Sequence, residues 1–213
     1  MGKKTWSSLV AAVLLGAMWL VFESGLFDDN VSSASGPAAE QLEQLQVAPA
    51  GSMDGYSRDR FEHWVAQPSA GKNCNTREAV LLRDGSGTRR DNRCEATSGT
   101  WTSAYTGEKI TDDSDIDIDH MVPLANAWRS GAAAWTDAER EKFANDMTNP
   151  QLVAVDSSSN RSKGDQDPST WKPSAQDRWC EYAGDWIQVK STYRLTVTDA
   201  EKKALGRMLA TCG

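Results

Sequence analysis

The sequence predicts an α+β fold, and three observations carry that prediction. Ile116 and Ile118 alternate with Asp115, Asp117 and Asp119, the period of a half-buried strand. Gln151-Leu152-Val153-Ala154-Val155 is a second short apolar run, with Asn149-Pro150 before it and Asp156-Ser157-Ser158-Ser159 after it. Around these two strands the pattern turns helical. Thr136-Asp137-Ala138-Glu139 and Thr198-Asp199-Ala200-Glu201 each have the Thr-x-x-Glu spacing of a capping box.

Composition bounds what such a fold can do. The chain has 213 residues, enough for one domain with a core and a tail. Charged residues are 25% and hydrophobic residues 39%, which is ordinary for a soluble domain. The net charge is -7, and from Gly51 onward 21 Lys and Arg face 25 Asp and Glu. That balance excludes a general electrostatic glue for nucleic acid. A protein of this charge that acts on nucleic acid has to use a local basic patch and a metal.

Lys3 and Lys4 precede an apolar run from Leu9 to Phe22, shorter than the roughly 20 residues of a membrane span. Residues 1–27 therefore read as a signal peptide, with a membrane anchor as the alternative. The product would be secreted, or tethered to the outer face of the cytoplasmic membrane. Cys74, Cys94, Cys180 and Cys212 suit an oxidising compartment. No two are close enough for a zinc knuckle, and four cysteines allow three pairings. The expected pairs are Cys74–Cys94 and Cys180–Cys212, each closing a loop within its own half of the chain.

In chain order, residues 28–53 are polar and lack periodicity, and read as a flexible linker or propeptide. The folded domain spans residues 54–213. Ser57 to Val65 reads as a short helix with Phe61, Trp64 and Val65 on one face, and His63 as a surface residue of it. Thr76 to Arg83 is a helix or a turn into a strand, broken by Gly85-Ser86-Gly87. Arg77, Arg83, Arg89, Arg90 and Arg93 make this the most basic stretch, either a solvated surface or a phosphate-contact patch. Thr97 to Ile110 reads as a small hairpin. Leu124 to Arg129 is helical, and the Thr136 capping box opens a helix reaching about Asp146. A brief helix, Asn160 to Asp165, follows the second strand and ends at Gly164. Ser174 to Thr192 carries Trp179, Tyr182, Trp186, Ile187 and Val189 at helical spacing, which reads as core. The Thr198 capping box starts a last helix that runs to near Cys212.

The chemistry sits at the first strand. Its isoleucines can face a core while its carboxylates share the other face, an arrangement that repels itself unless a cation offsets it. His120 follows directly, so a metal and a general base can stand side by side at the strand end. Three ordered blocks, Asp117-Ile118-Asp119-His120-Met121-Val122-Pro123, Asn149-Pro150-Gln151-Leu152 and Asn160-Arg161-Ser162-Lys163-Gly164-Asp165, resemble the ββα-metal, or HNH, nuclease family. Tyr56-Ser57-Arg58-Asp59, Thr76-Arg77-Glu78, Gly164-Asp165-Gln166-Asp167-Pro168 and Trp171 are similar to the exported bacterial subgroup of HNH endonucleases.

The resemblance implies a ββα-metal core with additional helices. It implies His120 as general base and Asn149 orienting the imidazole. Asp119 and Asn160 would hold one divalent cation, Mg2+ foremost, with Mn2+ or Ca2+ also suited to oxygen ligands. Arg161, Lys163 and Arg77 would contact phosphates. Asp117 would either hydrogen-bond beside the ligands or simply be exposed. The substrate would be DNA or RNA, cut without sequence preference to leave 5′-phosphate and 3′-hydroxyl ends, with no stable protein partner. Where the family name expects a second histidine, this chain has Asn160, an oxygen donor that suits Mg2+ better than zinc. The rival reading is a non-catalytic calcium-binding or interaction domain. Counted from Asp113, however, an EF-hand loop would need Gly at Ile118 and Glu at Leu124.

Overall fold

Two small antiparallel sheets and seven α-helices make up residues 36–213, which the computed structural model describes. The expected signal peptide or anchor lies outside the described residues, and among those described no helix is long and apolar enough to cross a membrane.

Helix α1 is Pro37–Gln44, with proline at its first turn, where no amide donor is needed. Leu42 and Leu45 are buried in the main core. Val47 then bridges Val197 in parallel, and the Gly51 amide donates to the Arg129 carbonyl. The expected linker is thus corrected over this stretch, which is folded onto the domain. Two leucines among glutamates and glutamines give too little periodicity to announce a helix, yet they suffice to dock one.

The segment Ser57–Val65 is also not the expected helix. Only a 3-10 turn forms, at Arg58–Arg60, and Trp64 is left-handed at φ 61°. The cause lies in the buried side chain of Asn145, which donates to the Glu62 carbonyl at 2.8 Å and accepts from the Val65 amide at 3.2 Å. These side-chain bonds take the backbone groups that a helix would have used.

Helix α2, Thr76–Asp84, is capped by Asn75. Strands β1 (Ser86–Arg90), β2 (Ala96–Thr102) and β3 (Lys109–Ile110) form the first sheet, so the expected hairpin gains a third strand. Strand β4 is Ile116–His120, followed by helix α3, Leu124–Arg129, and helix α4, Asp137–Ala144, which opens on the predicted capping box. Strand β5, Leu152–Asp156, pairs antiparallel with β4, placing Asp119 opposite Val153 and His120 opposite Leu152. Helix α5, Ser157–Lys163, leaves β5 at once and stops at Gly164, whose φ of 53° favours glycine. Helices α6, Trp179–Thr192, and α7, Asp199–Leu209, close the chain.

The β4–β5 sheet separates two apolar clusters. Ile116, Ile118, Leu152 and Ala154 pack against Val80, Leu81 and Trp101. Val155 belongs to the larger cluster, with Phe61, Trp128, Phe143, Tyr182 and Trp186. Tyr182 and Trp186 of α6 are therefore core, as their spacing implies, while Trp179 packs against it partly buried. Both expected disulfides are present, Cys74–Cys94 and Cys180–Cys212.

Candidate active site

Alternation along β4 sends Asp117 and Asp119 toward α5, where Asn160 and Lys163 sit one turn apart and meet them in order. Asn160 Nδ2 donates to Asp117 Oδ2 at 2.9 Å. Lys163 Nζ donates to Asp119 Oδ2 at 2.6 Å and to the His120 carbonyl at 2.9 Å. The Tyr105 hydroxyl also donates to Asp119 Oδ2, at 2.6 Å. Like charges on one strand face are thus compensated by protein groups as well as by any cation.

Asp119, His120 and Asn160 line one cavity of about 290 Å3, together with Tyr56, Arg58 and Asp165. Two oxygens, Asp119 Oδ1 and Asn160 Oδ1, have no hydrogen-bond partner among the described residues. The Asn160 assignment is chemically forced, because the Asp117 carboxylate only accepts when ionised and therefore turns the amide nitrogen toward itself. The donor set fits a hard divalent cation that keeps several waters. Among the described residues no cluster of three or more His, Cys, Asp and Glu occurs.

The His120 ring is buried at 3% exposure. Its Nε2 donates to the Ala144 carbonyl at 3.0 Å, which leaves the lone pair on Nδ1. Trp64 stacks on it, with centroids 5.7 Å apart, and His63 meets it edge-on at 6.1 Å. Burial pulls the imidazole down to about 3 against the upward pull of the Ala144 bond, and Arg58, His63 and Lys163 add to the downward pull. The ring is neutral at physiological pH.

The C-terminus of α4 organises this side of the site. Ala144 orients the ring through its carbonyl, and the next residue, Asn145, pins the backbone on both sides of Trp64. Gln151 clamps the exit of β4, its side-chain amide exchanging bonds with both backbone groups of Val122.

Two expected roles are corrected, and a third residue stands apart from the cavity. Asn149 donates to Asp146 at 2.7 Å and closes a turn; the contact that orients His120 is the Ala144 carbonyl. Lys163 is fully buried against Asp119 and cannot meet a phosphate. Arg77 is paired with Glu78 at 2.6 Å and is not among the residues lining the cavity. Arg161 is exposed and, among the described residues, unpaired. Sequence reasoning missed Arg58, an exposed guanidinium at the cavity with no ion-pair partner among the described residues. It missed Tyr105, Asn145 and Trp64 as well. The one local signal for the Arg58 group was the Tyr56-Ser57-Arg58-Asp59 stretch, already noted for its resemblance.

Residues 75–208 match the family model described as GmrSD restriction endonucleases, C-terminal domain. Arg58 and Trp64 lie before the matched span. A protein of Arthroderma benhamiae named "Uncharacterized secreted protein" is 55% identical over 183 residues, covering 86% of this chain and 88% of that protein. No solved structure matches.

Proposed function

We propose that this chain, which belongs to the GmrSD restriction endonuclease C-terminal domain family, an HNH-like nuclease family, is a secreted, metal-dependent, largely non-specific endonuclease of the exported HNH subgroup. One observation carries the reading. Asp119, His120 and Asn160 line a single cavity, and each of the two oxygen-bearing residues keeps one oxygen unused. Strands β4 and β5 with α5 supply the ββα-metal core of that reading. Secretion rests on the relative's name, on the two disulfides and on the apolar run that follows Lys3 and Lys4. Residues 1–27 are the export signal in this reading, and a retained tether is the variant of it.

His120 takes the proton of the attacking water at Nδ1. Its ring is held for that task by the Ala144 carbonyl at one edge and the Trp64 indole on one face. A phosphate seated in the cavity brings negative charge toward the imidazole, raising its affinity for the proton toward the range where a base is effective. Asp119 Oδ1 and Asn160 Oδ1 would hold a divalent cation, Mg2+ by preference. When bound, the ion supplies charge stabilisation at the scissile phosphate and the leaving 3′-oxygen. Asp117 keeps the Asn160 oxygen facing that position. Arg58 and Arg161 steer phosphates of the DNA or RNA strand, the part earlier expected of Lys163 and Arg77. The products carry 5′-phosphate and 3′-hydroxyl ends.

The test is digestion of plasmid DNA and of structured RNA with Mg2+, Mn2+, Ca2+ or EDTA, comparing wild type with His120→Ala. Loss of the general base should slow cutting roughly a hundredfold to ten-thousandfold, while circular dichroism shows a folded protein. Calorimetric titration of the metal-free protein with Mn2+ should show binding that Asn160→Ala removes. A wild type that cuts with no metal in the series, or a His120→Ala protein that cuts equally fast, would sink the reading. Thermal stability that falls with EDTA while the His120 change has no effect would favour a calcium-stabilised binding domain instead.

A further inference from the structure

We propose that a second cavity, between the Pro168–Lys172 loop and helices α6 and α7, is a subsite for one nucleotide unit of a single-stranded substrate, away from the cut. The identity of its ligand rests on the nuclease reading; the site itself rests on its own chemistry.

The cavity measures about 400 Å3, and Trp171, Lys172, Trp179 and Arg207 are among its walls. That size suits a base or a sugar-phosphate unit. No carboxylate lines it, in a chain of net charge -7. Lys172 and Arg207 are exposed, and neither has an ion-pair partner among the described residues. Arg129 and Arg178, by contrast, are committed, to Asp165 and Glu181. Two free cations converging on a concave surface without a carboxylate form a site for an anion. Lys172 Nζ sits 3.8 Å from the Trp179 ring centroid, so the indole holds the ammonium at the rim. Indole walls beside cations are also the chemistry by which single strands are bound without sequence preference.

The cavity joins the cut site through one residue. Trp171 Nε1 donates to Ser162 on α5, next to Arg161, at 3.2 Å. Its ring lies 5.0 Å from Tyr105, whose hydroxyl holds Asp119.

The test is fluorescence anisotropy of a labelled single-stranded oligonucleotide across a salt series in EDTA, so that no cleavage is required. The variants are Lys172→Ala/Arg207→Ala and, as a control, Lys109→Ala/Lys142→Ala, which removes two exposed cations elsewhere. Each single-strand phosphate neutralised contributes about 0.7 to the salt slope, so with Lys172 and Arg207 on the two phosphates that flank the bound unit the first double variant should lose about 1.4 and bind roughly tenfold more weakly. The control should match wild type. Equal slopes in all three proteins, an equal loss in the control, or no binding by wild type would each overturn the subsite. Strand binding with this pattern but no metal-dependent cutting would retain the subsite and remove the catalytic reading. Cutting with no effect of Lys172→Ala/Arg207→Ala on binding would do the reverse.

Discussion

Lys163 is a fully buried cation whose nearest anion is the carboxylate proposed to hold the metal. Burial pulls its ammonium below the ordinary lysine value, and Asp119 opposes that pull. Lys163→Met would leave Asp119 with its unpaired charge at 7% exposure. Removing one partner of a buried pair costs about 3–5 kcal/mol, and chemical denaturation should show a loss of that size. Lys163→Met/Asp119→Asn should recover part of it, because the stranded charge is gone. Additive losses would mean the pair is not coupled. The same residue marks the limit of what sequence can say about the site. Asp119, His120 and Asn160 were legible because each has a distinct chemistry in a fixed local order. Lys163 follows a surface-like Asn-Arg-Ser, and nothing local announces that Tyr105 and Trp186 will enclose it. The orienting role went to Asn149 because a side chain can be read and a carbonyl cannot; Ala144 acts through its backbone alone.

The β4, β5 and α5 unit depends on a sharp junction, and Asp156 makes it. As N-cap of α5 it accepts from Ser158 Oγ at 2.6 Å and the Ser159 amide at 2.8 Å on one oxygen, and from Ser103 Oγ at 2.8 Å on the other. Burial would raise this carboxyl, but those hydrogen bonds win and hold it down at about 2. A carboxylate depressed in the fold adds stability that is complete above its unfolded value, near 3.9, and is lost as pH falls through about 2. Asp156→Ala should therefore lower the melting temperature at neutral pH, by a cap loss of about 1 kcal/mol. The gap to wild type should narrow between roughly pH 4 and pH 2. A gap independent of pH would show that the charge is not what caps the helix. At this scale the sequence was informative wherever structure is local: both capping boxes form where Thr136 and Thr198 predict them. It was uninformative where a distant side chain decides. Asn145 reorganises residues 62–65 from 80 to 83 positions away in sequence, and that contact overrides a plausible helical pattern.

Across the whole molecule, the two apolar clusters on either side of the sheet are each tied by one disulfide, and the two ties have different consequences. Cys180–Cys212 ties the first turn of α6 to the residues that follow α7 and closes a separation of 32 residues. Cys74–Cys94 fixes the turn leading into α2, two residues before Thr76. The Thr76 hydroxyl donates to Asn145 at 2.8 Å and its amide to the Val65 carbonyl at 2.9 Å, so this tie supports the segment that holds Trp64 against the His120 ring. Loop entropy assigns either bond about 3–4 kcal/mol. Cys180→Ala/Cys212→Ala should accordingly lose that stability, on the order of 10 °C in melting temperature, yet cut saturating nucleic acid at the wild-type single-turnover rate well below its melting point. Cys74→Ala/Cys94→Ala should lose a similar amount of stability and also cut more slowly, because Trp64 is strained at φ 61° and relaxes once its support loosens. Single-turnover cleavage measured beside thermal melts separates the two. Equal rates in both variants would show that Asn145 alone fixes Trp64, and that the first disulfide serves stability only.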